Sequence, residues 1–294
     1  MCGIAGYSLA IGSPPQTEWL QIAREALVHR GPDDSGIFED RSQGIGLVHT
    51  RLSIVDLSQQ GHQPMVREDG RVAMVFNGEV YNFRELRAEL KEEGYRFRGG
   101  SDTEVLLALY RSQRQKGTCD TDALSVMLRR LNGIFAFALW DNNRKALLLA
   151  RDALGIKPLY VRQDNAGLHF ASEIKALPTK SLTLDSEAID RYLTFLWCPG
   201  SGTPATEVHK LGPGEAMWVS EGAILKHFSW CRLPNSSRVP SIASPLTKAR
   251  AIRGTEAHLR QAVHRQMVAD LQVGAFLSGG LDSSSVVNFA RELK

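Results

Sequence analysis

The chain opens on MCGIAGYSL, residues 1–9, and whether this stretch is a strand or a leader decides the fold. Gly3–Leu9 is short, apolar and rich in small residues, which reads as a strand. A secretory leader fails: no basic residue stands before Arg24, and no small-residue cleavage site follows a longer apolar run. A lipidated cysteine fails on the same ground, and myristoylation needs glycine where Cys2 stands. What is left is a strand that begins at a cysteine. Removal of Met1 would put a thiol and a free α-amine on one residue. A thiol of pKa ~8.5 needs a base, and an α-amine of pKa ~7.7–8.0 is partly unprotonated at neutral pH. A cysteine at position two means little alone; its surroundings must support it.

Working outward, strand-like runs recur as GIGLVHT (44–50), VAMVFNG (72–78), IFAFALWD (134–141), ALLLARD (146–152), GLHFAS (167–172) and EAMWVS (215–220). Each is bounded by Gly, Asp, Asn or Pro. Trp19–Val28 and Phe83–Glu93 read as helices. Asp102–Arg111 reads as a third, with Leu106, Leu107 and Tyr110 on one face and a capping box over Ser101–Glu104. Strands grouped in pairs between few helices predict antiparallel sheets in one compact domain, 2–233. The proline- and serine-rich Pro234–Arg250 reads as a linker. From Ile252 the pattern is a helix with Leu259, Val263 and Met267 on one side, a buried-type strand Val273–Leu277, a glycine turn, and a helix from Ser283. That order opens an α/β domain, 251–294, which the sequence leaves incomplete at Lys294.

The 294 residues suit two domains, or one and part of another. With 43% hydrophobic and 23% charged residues the chain is an ordinary globular sequence, and wholesale disorder is excluded. A net charge of +3 is too small to imply a nucleic-acid partner. The longest apolar stretch, Gly133–Trp140, is far short of a membrane span. Cys2, Cys119, Cys198 and Cys231 form no CxxC pair, so neither a zinc ribbon nor a disulfide scaffold is expected, and a reducing cytoplasm is the default.

CGIAGY (2–7), HRGPDDSG (29–36), RLSIVDLS (51–58), GHQPM (61–65), FNGEVYNFREL (76–86), SDTEVLL (101–107), LNGIFAFALWD (131–141) and ARDALGIKPLY (150–160) follow one another in order. Together they resemble the amino-terminal class II glutamine amidotransferase domain of glutamine-hydrolysing asparagine synthetases. The resemblance implies an α+β fold, the N-terminal-nucleophile four-layer sandwich of antiparallel sheets between helices. It also implies a Cys2 thioester with glutamine, asparagine biosynthesis in the cytoplasm, and aspartate and ATP with magnesium as further substrate and cofactor of the complete enzyme. Glutamine hydrolysis itself needs no cofactor and no metal. No nucleic acid or membrane is involved, and a homodimer stays open.

The residues make chemical sense beside the family. Glutamine is a zwitterion with a side-chain amide, so a glutaminase needs a cation, an anion and oxyanion donors. Arg51 is either a surface arginine at a strand end or a two-pronged grip on the α-carboxylate, the role the resemblance assigns it, with backbone of Leu52 and Ile54 lining the pocket. Asn77 and Gly78 make either a plain Asn-Gly turn or an oxyanion hole. Glu79 and Asp102 can hold the α-ammonium, and Asp102 can cap its helix as well. The resemblance makes HRGPDD a lid over bound glutamine, with Arg30 and Gly31 near the nucleophile; the alternative is a surface turn. His49 and His62 are expected to be structural, and the other three cysteines buried or inert.

SGGLDSS, Ser278–Ser284, follows the strand and opens a helix, so its N–H groups can cradle phosphates. It is not a Walker A loop, and the alternative is a serine-capped helix after a turn. It resembles the pyrophosphate loop of adenylating enzymes, which implies contacts from Ser278, Gly279, Gly280, Asp282 and Ser283, with Val273 and Leu277 on the adenine side. The sequence-level expectation is therefore a glutaminase with an incomplete synthetase segment, active in the glutaminase half-reaction alone. Two alternatives are an ATP-dependent relative that amidates another carboxylate, and a non-catalytic fragment that associates with a full-length homologue.

Overall fold

β1 (Gly3–Leu9) is buried along its whole length. Ala5, Tyr7 and Leu9 pack on Leu20, Ala23 and Leu27 of α1 (Thr17–Leu27), while Ile4 faces the other way into a separate apolar cluster. A strand with no wet face lies inside a layered molecule, and the spacing of Leu20, Ala23 and Leu27 makes the apolar stripe that covers it. The computed structural model describes residues 1–67, 70–116, 121–233 and 245–293. In chain order there follow β2 (Asp34–Asp40), β3 (Ile45–Arg51), β4 (Met65–Arg67), β5 (Val72–Val80), α2 (Phe83–Glu92), α3 (Asp102–Gln115), α4 (Thr121–Arg129), β6 (Gly133–Asp141) and β7 (Ala146–Arg151). β8 (Tyr160–Asp164), β9 (Gly167–Ala171), α5 (Ser186–Phe195), β10 (Val208–Lys210), β11 (Glu215–Ser220), β12 (Ala223–Ser229), α6 (Pro245–Gln266) and α7 (Leu281–Arg291) complete the described chain.

The strands form two six-stranded sheets, ordered β10-β8-β9-β1-β3-β2 and β12-β11-β7-β6-β5-β4, and all their pairings are antiparallel. Ile4, Ile45 and Leu47 of the first sheet meet Val75, Ala138 and Leu149 of the second in the core between them. Burying a side chain of Leu or Ile size is worth about 1.5–3 kcal/mol, so this interior dominates the stability. α1 covers the outer face of the first sheet, and α3, packed on α2, covers the second at β5. The result is the expected four-layer α+β sandwich.

The strands legible in the sequence are the doubly buried ones. β2, β8 and β12 were not foreseen: they carry charged residues, and β2 and β12 are half-exposed or exposed edge strands. The capping box is half formed. Ser101 Oγ accepts from Glu104 N–H (3.2 Å), but the Glu104 carboxylate turns away, accepts from the N–H groups of Arg98 and Gly99, and pairs with Arg67. The box fails because two loop N–H groups and a guanidinium outcompete one N-cap amide.

The chain divides into two compact units, Met1–Arg232 and Leu233–Lys294. Residues 234–244 of the expected linker lie outside the described residues; residues 245–250 are the first turns of α6, so the linker reading fails there. In the second unit Arg260 lies over the Phe289 ring (5.0 Å) and pairs with Glu256 and Glu292, tying α6 to α7. The expected strand Val273–Leu277 is absent. The segment is coil with Phe276 fully exposed and Leu277 62% exposed, because a central strand forms only between partners and no described strand pairs with it. No described helix is long and apolar enough to cross a membrane.

Candidate active site

Past Ile4, Leu47 and Val75 the faces that meet between the sheets turn polar. Side chains alternate along strands, so Cys2 continues the face of Ile4, His49 and Arg51 that of Leu47, and Asn77 and Glu79 that of Val75. β1 pairs with β3 with Ile4 opposite His49 and Gly3 opposite Thr50; one step on, Cys2 falls beside Arg51. The Cys2 sulfur accepts from Leu52 N–H at 3.5 Å and donates to Leu52 C=O at 3.7 Å. Burial pushes the thiol pKa up, and the Leu52 N–H opposes that only in part. Met1 precedes Cys2 in the described chain, so the α-amine is that of Met1; burial lowers its pKa, with Lys157 and Arg30 adding to the effect.

The donors opposite come from an exhausted sheet edge. β4 begins only at Met65, opposite Met74, so from Phe76 onward β5 has no strand on that side. Three side chains take over. Gln63 Oε1 accepts from Phe76 N–H (2.7 Å), His49 Nε2–H donates to Phe76 C=O (3.1 Å), and Asp102 Oδ2 accepts from Val80 N–H (2.9 Å). Gly78, between them, points its N–H the same way and has no partner among the described residues. Next to it Asn77 is 1% exposed, and both ends of its amide lack a hydrogen bond. The Asn-Gly pair is thus not a turn: β5 runs straight through it to Val80, paired with β6.

One cavity is lined by Cys2, Arg51, Leu52, Ile54, Gly78, Glu79 and Asp102, together with Gln63 and Thr103. Arg51 is buried, and its guanidinium donates to the carbonyls of Ser58, Val55 and Asp56. These three bonds shape the 52–58 loop and leave Nε–H and one Nη1–H uncommitted. Asp102 accepts from Thr103 N–H (2.8 Å) at the start of α3. Burial, with Asp102 nearby, drives the Glu79 carboxyl well above the ordinary range, and burial does the same to Asp102. A half-buried and a buried carboxyl lining one cavity suit a cation.

Residues 29–34 are anchored in this structure. Gly31 is buried with its α-carbon against β3, where a Cβ would come within 2.4 Å of Thr50 and Arg51 backbone atoms. Asp33 Oδ2 accepts from Ser53 N–H (2.8 Å), and Arg30 Nε–H donates to the Cys2 carbonyl (2.9 Å). His49 is fully buried, and burial holds its pKa down at about 3, so it stays neutral. His62 pairs with Asp34 at the surface. Cys198 and Cys231 are half-buried free thiols, and Cys119 lies outside the described residues.

In the second unit the SGGLDSS turn has Gly279 at φ +82° and α7 starting at Leu281. Ser278 Oγ and Ser283 Oγ lie 3.0 Å apart. A glycine turn, two hydroxyls and a helix start suit a phosphate. Val273 and Leu277 are 41% and 62% exposed, so among the described residues no adenine slot closes around them.

A family profile described as a glutamine amidotransferase domain matches residues 1–230. This chain belongs to that family. The amidotransferase domain is of class II, and a profile described as asparagine synthase matches residues 254–294 behind it. Asparagine synthetase [glutamine-hydrolyzing] 1 of Bacillus subtilis is 37% identical over 99% of this chain and 44% of its own length. Amidase chry2 of Gibberella zeae is 34% identical over 100% of this chain and 43% of its own. The chain thus spans less than half the length of these relatives. The fold of the glutamine phosphoribosylpyrophosphate amidotransferase of Bacillus subtilis, solved with ADP and GMP, matches at a TM-score of 0.59 and 18% identity, over 99% of this chain and 64% of that one.

Gln63 and Lys157 escaped the sequence reading, whereas His49 is structural as expected. Gln63 and His49 close the β5 edge, a job no motif announces. Lys157, inside ARDALGIKPLY, is buried, and its charge acts on Glu79 and Cys2. Its loop is pinned by Asp152, whose Oδ2 accepts from the N–H groups of both Lys157 (3.0 Å) and Phe135 (3.2 Å), and Phe135 pairs with Gly78. A lysine framed by Gly, Ile and Pro was the available signal.

Proposed function

We propose that this chain hydrolyses the side-chain amide of glutamine through a covalent bond to Cys2. Once Met1 is removed, the α-amine of Cys2 takes the thiol proton and the sulfur attacks the amide carbon. The Gly78 N–H and the Asn77 amide N–H hold the resulting oxyanion. The amine then passes its proton to the leaving nitrogen, the C–N bond breaks, ammonia departs and a γ-glutamyl thioester remains. Water cleaves the thioester to glutamate and restores the thiol. Arg51 offers its two uncommitted N–H groups to the substrate carboxylate, and Glu79 and Asp102 receive its ammonium. The anchored 29–34 segment, with Arg30 and Gly31, covers the thiol side and keeps stray water from the thioester.

The observation that carries this reading is the buried Asn77 amide, whose nitrogen and oxygen are a pair without partners, next to Gly78, which lines the cavity with Cys2. Buried polar groups are nearly always satisfied, so such a pair implies a ligand oxygen. Comparison of wild type with Cys2→Ala in a glutaminase assay tests it: the variant should lose turnover, and equal rates would end the reading.

In proteins of the relatives' length, ammonia would pass to an asparagine-synthase-type site that activates aspartate with ATP and magnesium. Ser278, Gly279, Gly280, Asp282 and Ser283 would hold phosphates there. A second reading, in which the acceptor is another carboxylate, is separated from this one by turnover of such a longer protein with aspartate against other acids.

A further inference from the structure

Glu173 sits just past β9 and does not line the cavity with Cys2. Its Oε1 accepts from Arg30 Nη1 (2.8 Å) and lies 3.0 Å from His29 Nε2, and its Oε2 lies 3.3 Å from Lys175. The Arg30 side chain is only 9% exposed, and its Nε–H is the bond to the Cys2 carbonyl. One residue earlier, Ser172 grips the chain start directly: its Oγ accepts from Ile4 N–H (3.0 Å) and its N–H donates to Ile4 C=O (2.8 Å). Residues 172 and 173 therefore hold two points near the chain start, Ile4 by contact and Cys2 through Arg30.

That hold matters because little else fixes Cys2. β1 begins after it, and among the described residues its sulfur hydrogen-bonds only to the Leu52 backbone, at 3.5 and 3.7 Å. Gly3 beside it carries no side chain to help, since a Cβ there would stand 2.6 Å from Thr50 Oγ1. An arginine side chain is long and rotamer-rich, and a carboxylate bonded to its fork selects one geometry.

We propose that Glu173 is a positioning residue for Cys2: by fixing the Arg30 guanidinium it fixes the Cys2 carbonyl, and so the direction in which the thiol leaves the backbone. The proposal rests on the thiol reading above. Glutamine is not touched by Glu173, so the effect falls on kcat rather than KM.

The test is glutaminase kinetics on the full chain. Glu173→Gln should lower kcat at least about tenfold with KM within about twofold, the signature of a misdirected nucleophile. Glu173→Asp, which keeps the charge but withdraws it by one methylene, should fall between the two and serves in its place if the glutamine variant does not fold. Lys175→Met, which removes a cation that reaches Glu173 but not Cys2, should leave kcat unchanged. In an Arg30→Ala background the further change Glu173→Gln should cost nothing more. Wild-type kcat in the folded Glu173→Gln variant, or losses that multiply in the double variant, would overturn this inference alone. A wild-type chain with no Cys2-dependent hydrolysis would overturn the thiol reading and this one together.

Discussion

Asn77 is a buried residue whose amide bonds to nothing. An unsatisfied buried polar group costs about 1–3 kcal/mol, and a fold that only needed to fill the space would carry an apolar side chain. Asn77→Ala is accordingly expected to lower kcat about 10²–10³-fold, as loss of one oxyanion donor does, while the melting temperature holds or rises. A variant that melts earlier yet turns over normally would show the amide serving the fold instead. Glu79 supplies a pH signature. Burial and the Asp102 charge raise its pKa, so in the empty site its ionised share grows as pH rises. An ammonium binds the ionised form, so KM for glutamine should fall between about pH 6 and about pH 8, above the ordinary carboxylate range. Glu79→Gln should flatten that dependence and raise KM at the upper end, which initial rates across the pH series would reveal.

The site exists because β5 outlasts its neighbour. β4 is three residues long, so the far end of β5 keeps its pairing with β6 on one side and exposes N–H groups to a pocket on the other. The β5–β6 contact is unusually close there. A Cβ on Gly133 would lie 2.2 Å from Glu79 C=O, and one on Gly78 would lie 2.2 Å from Ile134 C=O. Gly133→Ala should therefore push the strands apart and cost about 1–3 kcal/mol, visible as a lower urea midpoint with an unchanged slope. Elements buried on both faces were legible as apolar runs, while the edge strands β2 and β12 were not, since solvent on one side lets them carry charge. Cys2, Arg51, Gly78, Glu79 and Asp102 could be named as candidates from their chemistry and their setting. The caps on β5 from Gln63 and His49 could not, because what they satisfy is a gap in a sheet, and no local pattern encodes a gap.

At the scale of the whole chain the two units differ in kind. Met1–Arg232 closes both sheets around its own core. In Leu233–Lys294 no described residue is buried, and a segment that removes so little apolar surface from water cannot offset the entropy of ordering. Expressed alone, residues 1–232 are expected to melt in one cooperative calorimetric transition, and residues 233–294 to give none. A sharp transition in the shorter piece would mean that its helices form a core of their own.

Amino-acid order alone determined the chemistry on offer: a cysteine behind the initiator, a cation and two acids for a zwitterion, an Asn-Gly donor pair, and apolar runs whose periods fix which faces are buried. These are local properties, carried by side-chain type and spacing. Only the tertiary structure decided that Asn-Gly is mid-strand rather than a turn, that Glu104 abandons its cap, that Val273–Leu277 is coil, and that Glu173 reaches Cys2 through Arg30. Each of those outcomes depends on which group wins a hydrogen bond or a strand partner across more than a turn of chain, and that competition is resolved by packing.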